Sequence, residues 1–160
     1  MEQIFRSPHL WLFFEFAICA NAIWFRVRAR EHTKEHPELA EGYAALIRGW
    51  LLWGSLPWLV MAAGLEFGRV PSIWHYFRPR DDNPYVLAWY VCVVLLWILG
   101  LYWVFKRGGA EMMAGHSRIW RGDLSSPAKV KLACLLCVAA GVVAFILLLV
   151  MDVPLPFGSG

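Results

Sequence analysis

Apolar residues dominate four long stretches of the chain, and each stretch is nearly free of charge. A membrane-spanning α-helix needs roughly 20 apolar residues at a rise of 1.5 Å per residue, and each stretch is about that long. The pattern therefore predicts an all-α integral membrane protein, a single domain in which four transmembrane helices form a bundle. The predicted spans cover about residues 8–27, 46–66, 84–106 and 129–152.

Signals for the start of a helix precede the last three spans. Pro37 is followed by Glu38 and Glu41, and proline with acidic residues in the first turn is typical of a helix N-terminus. Asn83 and Ser126 each stand directly before a proline, which places a capping side chain and a proline at consecutive positions. The second span is therefore expected to begin outside the membrane and to cross it as one long helix.

The composition supports a membrane protein and argues against an ordinary soluble domain. Of the 160 residues, 59% are hydrophobic and ten are tryptophan, and the mean hydropathy is +0.51, which is too apolar for a soluble domain of this length. The first apolar run lacks a basic leading region and a small-residue cleavage motif, so it is interpreted as a retained span. Gly158–Gly160 has the composition of a linker.

The basic residues predict how the helices are oriented. Eleven of the fifteen lysine and arginine residues fall in the segments 26–48 and 106–131, and the positive-inside rule makes these two loops cytoplasmic. Both termini are then extracytoplasmic, and the expected location is the bacterial inner (plasma) membrane. The first loop also contains acids such as Glu31 and Glu35, and the net charge is only +3. The pattern is typical of anchoring to the lipid bilayer and indicates no nucleic-acid partner.

The ends of spans one and three resemble each other. Trp24 begins an aromatic and basic segment that is followed by His36, and Trp103 begins a similar segment that is followed by His116. Two helical hairpins related by duplication would explain this similarity. The alternative is that helix ends at a cytoplasmic interface generally carry aromatic residues followed by bases. The histidine spacing alone argues for duplication.

Apart from His9 at the outer edge, Glu15 is the only acid or base in the four apolar stretches, which are residues 7–25, 49–65, 83–105 and 132–151. A carboxyl about 10 Å below the outer surface is too deep for so short a side chain to reach water easily, and charged groups inside a membrane are usually functional. Glu15 and Cys19 lie on one helix face, and with Asn21 and Ser55 they form a predicted ion or proton pathway. For Asn21, an interhelical hydrogen bond is the simpler interpretation. For Glu15, the competing interpretation is a neutral, hydrogen-bonded structural acid.

Small residues on spans one and four predict close helix packing. They are Ala22 on span one and Cys137, Gly141 and Ala144 on span four, where small side chains let a neighbouring backbone approach. The Cys134-x-x-Cys137 spacing lacks a second ligand pair, so packing explains it better than metal binding. The five histidines fall at or beyond the membrane edges, which argues against an intramembrane haem. No cofactor, metal site or catalytic group is predicted.

In outline the chain resembles the trimeric membrane glutathione-transferase and eicosanoid enzymes, in the number of spans, the length, the outer termini and the long basic first cytoplasmic loop. The Arg-Ala-x-x-Asn-x-x-Glu pattern of that family does not occur at the start of span two, where this chain has Ala45-Leu46-Ile47-Arg48-Gly49. The resemblance therefore implies a four-helix membrane enzyme acting on a lipophilic substrate, but it assigns no residues.

Three classes of function follow from the sequence. The first is a homo-oligomeric channel or an ion- or proton-translocating protein built around Glu15, with copies of the chain as partners. The second is a non-catalytic accessory subunit that packs on a larger membrane complex. The third is a four-helix membrane enzyme, which is disfavoured because the sequence shows no nucleophile with its base and no glycine-rich phosphate loop.

Overall fold

The computed structural model of the chain describes residues 9–151, and every regular element within them is helical. The first residue of span one, the last residue of span four and Gly158–Gly160 lie outside the described residues. The α-helices are α1 (Trp11–Glu35), α2 (Ala40–Glu66), α3 (Pro84–Lys106), α4 (Gly109–Gly115) and α5 (Pro127–Val150). Short 3₁₀ turns occupy Pro37–Leu39, Ile73–Phe77, Pro79–Asp81 and Ser117–Ile119.

Three helical segments of the described chain are long and apolar enough to cross a membrane, and they contain predicted spans two and three and all but the last two residues of span four. These segments are Pro37–Glu66, Pro84–Lys106 and Pro127–Val150. The helix that contains span one, α1, is 25 residues long, but Glu15, Asn21 and Arg26 interrupt its apolar residues. Length therefore qualifies α1 as a span, whereas composition does not.

The four long helices lie in a row, since each contacts mainly the long helix before or after it in the chain. The helix α1 packs along α2, α2 packs along α3, and α3 makes a sparser contact with α5. A closed four-helix bundle would bring α1 and α5 together, yet these two helices have little direct contact. The described residues thus form an open row, in which Val130 is the buried residue of α5.

The connection between α2 and α3 folds into an apolar cluster against those two helices. Val70, Ile73 and Tyr76 are each at most 5% exposed, and they pack with Met61 of α2 and Val86 of α3. The hydroxyl of Tyr76 donates a 3.0 Å hydrogen bond to the carbonyl oxygen of Met61, so the polar end of this buried ring is satisfied. Burial raises the pKa of Tyr76 to about 12.

The connection between α3 and α5 packs against α1 and α2 at the end of the row that lies away from Tyr76. It contains the short helix α4, and its Ile119 is fully buried in a cluster with Phe25 and Tyr43. His116 packs edge-to-face on Tyr43, with 4.7 Å between the ring centroids. Because these contacts join residues far apart in the sequence, this connection links the α1–α2 pair to the α3–α5 pair.

The predicted helix starts are confirmed. The Asn83 side chain accepts a 2.9 Å hydrogen bond from the backbone N–H of Tyr85, and Ser126 Oγ accepts one of 3.4 Å from the backbone N–H of Lys129. Pro37 begins a 3₁₀ turn that leads directly into α2. These starts are local in sequence, which is why the residue pattern alone identifies them.

The two histidines of the predicted duplication occupy different settings. His36 is exposed, and its Nδ1 lies 3.2 Å from Oε1 of Glu38. His116 is half-buried against Tyr43 and comes directly after α4, which has no α-helical counterpart between α1 and α2. The duplication therefore stays a prediction without a shared local structure to support it.

Candidate functional site

The face of α1 that meets α2 positions the Glu15 carboxyl. Gly54 of α2 has no side chain, and Ile18 approaches it so closely that a Cβ on Gly54 would lie 3.1 Å from the Ile18 Cδ1. On the other side of the carboxyl, the rings of Phe14 and Trp58 stack with their centroids 4.1 Å apart. The contact of the Ile18 side chain with Gly54 and the ring stacking together fix the register of the two antiparallel helices.

Glu15 and Ser55 meet within this interface. The Ser55 hydroxyl donates to Oε1 of Glu15 at 2.5 Å, a length typical of strong hydrogen bonds from a hydroxyl to a carboxylate. The second oxygen of Glu15, Oε2, is buried and has no hydrogen-bond partner among the described residues. A buried polar atom without a partner is costly. Oε2 is therefore the oxygen of this pair whose hydrogen-bonding capacity the described residues leave unused.

The pairing places the carboxyl well inside the row of helices. Ser55 precedes Glu66, the last residue of α2, by eleven positions, which is on the order of 16 Å along the helix axis. At one end of the same helix pair, Nδ1 of His9 lies 3.6 Å from Oε1 of Glu66. The carboxyl thus lies roughly two to three helical turns inside the end at which His9 and Glu66 meet.

The other two predicted pathway residues lie away from this pair. Cys19, one turn from Glu15 on α1, is exposed. Asn21 donates through Nδ2 to the carbonyl oxygen of Ala17 at 2.8 Å, and its Oδ1 accepts from the Arg121 guanidinium at 3.4 Å. Asn21 therefore meets the connection between α3 and α5, and the structure brings together only the carboxyl and the hydroxyl of the four predicted residues.

The residues predicted to pack helices together divide between buried and exposed positions. Ala22 is 5% exposed. On α5, Gly141 packs against Trp97 of α3, and a Cβ at Gly141 would lie 2.4 Å from Cζ2 of that indole. Cys137 and Ala144 are exposed. Helix α5 thus contacts α3 through Gly141, while Cys137 and Ala144 lie on the surface of the described chain.

Sequence reasoning missed a group of histidine and tyrosine side chains at the basic end of the row. Nδ1 of His32 lies 2.9 Å from the Tyr43 hydroxyl oxygen, and Nδ1 of His116 donates to the carbonyl oxygen of Met112 at 2.7 Å. The other ring nitrogen of His116 is buried against Gly42 and has no partner among residues 9–151. The one sequence signal for this contact is a glycine near the start of a helix. No group of three or more metal-ligating side chains occurs in the described chain.

A second polar feature lies just before α5. Hydrogen bonds from Lys129 and Ser125 hold the pKa of Asp123 well below its usual range. The Ser125 hydroxyl donates to Asp123 at 2.6 Å, and the ammonium group of Lys129 pairs with the other carboxylate oxygen. These hydrogen bonds order the start of α5. All three side chains are exposed, so they form no pocket.

The Glu15–Ser55 pair combines a carboxyl oxygen that can accept a proton or a cation, a hydroxyl that orients the carboxyl, and two helices that shield both groups. Comparison of the chain with protein-family models, with curated proteins and with solved structures finds no match.

Proposed function

We propose that the chain is a four-span membrane protein that passes a proton or a cation through a site at Glu15, as a homo-oligomer with both termini outside. One observation carries the proposal: Ser55 holds one oxygen of the carboxyl, and the other oxygen is buried without a partner. In this proposal α1 is the fourth span, and its pairing with α2 compensates for its lower hydropathy. The basic loops face the cytoplasm of a bacterial inner membrane.

The hydrogen bond from Ser55 makes the two carboxyl oxygens of Glu15 chemically different. This hydrogen bond fixes Oε1 and with it the orientation of the carboxyl group, so Oε2 is left to accept a proton or to bind an ion. Pro57 lies two residues further along α2 and has no N–H, so the Trp53 carbonyl lacks its helical donor. Because Trp53 is two residues from Ser55, about 200° around the helix, this carbonyl faces away from Ser55 and permits a bend in α2.

Oligomer formation is part of the proposal because an open row of helices cannot enclose a hydrated path. A symmetric ring of copies can, and it would also bring several copies of Glu15 around one axis. Cys19 lies one turn from Glu15 on the exposed surface of α1, where it would meet the path or a neighbouring copy. The edges of the row supply faces for such an interface.

The alternative function is a non-catalytic accessory subunit of a larger membrane complex. The same Ser55 hydrogen bond favours it, since a carboxyl that is already bonded within the chain can serve to hold α1 against α2. In that case the exposed apolar faces of α3 and α5 would contact the partner complex. The two functions differ in whether the isolated protein conducts.

Flux through liposomes that contain the purified protein tests the proposal. We expect proton or cation flux for the natural chain and at least a tenfold loss for Glu15→Gln, which keeps the shape and the hydrogen bond but cannot ionise. Glu31→Gln is the matched control, because it removes the same charge from an exposed position on the same helix, and its flux should match that of the natural chain.

Two results would contradict the translocation proposal in different ways. If Glu15→Gln left the flux unchanged, Glu15 would have only a structural role. No flux from either form, together with a monomeric mass in detergent, would favour the accessory subunit.

A further inference from the structure

Two arginines from distant parts of the chain flank one tryptophan at the basic end of the row. Cζ of Arg28 lies 4.9 Å from the ring centroid of Trp24, and Cζ of Arg121 lies 5.1 Å from the same centroid. The two guanidinium groups are therefore within about 10 Å of each other, close enough for their charges to repel at low salt. No carboxylate of the described residues forms an ion pair with either arginine.

The position of each arginine is set by a partly buried tryptophan. Trp24 and Arg28 are four residues apart on α1, so they share one helix face. Arg121 follows Trp120, whose ring packs edge-to-face on Phe25 at 5.4 Å. The connection that carries Arg121 is thus anchored before any ligand arrives, and the cationic pair is held in place by the fold.

We propose that Arg28, Trp24 and Arg121 bind the phosphate of an anionic lipid headgroup. Guanidinium groups bind phosphate through paired N–H donors, and a tryptophan at a helix end is typical of the headgroup region. Asn21, which accepts from Arg121 at 3.4 Å, completes the polar side of the site. The proposal does not depend on the role of Glu15.

The surface beside this site favours a lipid over free phosphate. Along the same face of α1, from the basic end towards the middle of the helix, come Asn21, Ala17 and Phe13 at four-residue intervals. Phe13 is 65% exposed, and Ala17 adds little bulk between it and Asn21. An acyl chain can lie along this strip while its phosphate binds the guanidinium groups of Arg28 and Arg121.

Native mass spectrometry of the purified protein, titrated with phosphatidylglycerol, measures the binding. We expect Arg28→Gln and Arg121→Gln each to raise the dissociation constant more than about tenfold, as expected when a charged hydrogen bond is lost. Arg107→Gln is the matched control, because it removes a charge from the same end of the row but does not touch Trp24. Its effect should stay below about fivefold, the contribution of one base to general surface attraction.

Arg121→Lys keeps the charge and removes the planar fork, so it should also weaken binding, and it tests the site if the glutamine variants do not fold. Equal effects of all the variants, including Arg107→Gln, would overturn the proposal in favour of diffuse surface charge. Inorganic phosphate is the competitor that separates the two sources of the anion. If it displaced the lipid and bound with the same dependence on Arg28 and Arg121, the assignment to a lipid would be wrong.

Discussion

Trp97 on α3 lies across Gly141 on α5, and its ring occupies the space into which a side chain at position 141 would project. A Cβ there would lie 2.4 Å from Cζ2 of the indole, well inside the contact distance of two carbon atoms. We expect Gly141→Ala to displace the indole and to lower the free energy of unfolding by about 1–3 kcal/mol. Gly141→Leu should cost more.

Thermal unfolding in detergent measures this effect, with Gly100→Ala as the control. Gly100 also lies in a long apolar helix, but a Cβ there would meet no atom within 4 Å. Its replacement should be neutral or stabilise the helix by up to about 1 kcal/mol. Equal melting temperatures for the two alanine variants would show that α3 and α5 do not pack through Gly141.

Tyr76 anchors the connection between α2 and α3, and its hydroxyl can be removed without changing the ring. Tyr76→Phe leaves the apolar contacts in place and deletes the hydrogen bond to the Met61 carbonyl, so we expect a loss of about 1 kcal/mol. Gly64→Ala should cost more, because its Cβ would lie 2.0 Å from the Tyr76 hydroxyl oxygen. Thermal unfolding ranks the two variants, and a larger loss for Tyr76→Phe would contradict the expectation.

The same tyrosine predicts a loss of stability in alkali. Its pKa rises from the ordinary value of 10.0 to about 12 in the folded state, so the fold favours the neutral phenol. The resulting stabilisation is complete below the unfolded pKa and is lost as the pH rises through the folded pKa. Melting temperatures at about pH 8 and about pH 11 should therefore differ more for the natural chain than for Tyr76→Phe. An identical pH dependence of the two proteins would refute this assignment.

A double-mutant cycle tests whether Ser55 and Glu15 act as a pair. Ser55→Ala leaves both carboxyl oxygens without a partner, which should cost about 1–3 kcal/mol of the free energy of unfolding. In the Glu15→Met background the same change should cost much less, because no carboxyl remains to be satisfied. We expect a coupling energy of about 0.5–3 kcal/mol. Additive effects would mean that the hydrogen bond contributes nothing to stability.

The orientation is tested by cysteine labelling in a background without Cys19, Cys92, Cys134 and Cys137. Ser72→Cys lies in the connection between α2 and α3 and should react with an impermeant reagent from outside the cell. Ser125→Cys lies in the connection before α5 and should react only after the membrane is opened. Labelling of Ser72→Cys from the cytoplasmic side alone would show that the orientation is the opposite of the predicted one.

Local signals in the sequence were sufficient for the helix starts and for the segments that can cross a membrane. The caps at Asn83 and Ser126 act on backbone groups two or three residues away, so their effect can be predicted without the fold. The spacing of Val70, Ile73, Trp74 and Phe77 at i, i+3, i+4 and i+7 also predicts a short helix in the connection between α2 and α3. The structure shortens it to a 3₁₀ turn whose most buried side chain is Tyr76.

Contacts between distant residues could not be predicted in the same way. Both Glu15 and Ser55 stand out in the sequence as polar residues in apolar segments, but the register of α1 on α2 decides whether they meet. Asn21 and Arg121 are 100 residues apart, and no periodicity links them. The row arrangement is equally non-local, since it depends on which helix faces pack.

The pairing of Glu15 with a residue of α2 also has a consequence for biosynthesis. When α1 leaves the ribosome, α2 has not yet emerged, so Ser55 cannot pair with Glu15, and a carboxylate entering the bilayer alone costs about 2.5–3.5 kcal/mol. We therefore expect α1 to wait at the translocon and to enter the lipid together with α2 as a hairpin. A fragment that ends before α2 should fail to integrate, and Glu15→Leu in that fragment should restore integration. Efficient integration of the unaltered short fragment would show that α1 needs no partner to enter the membrane.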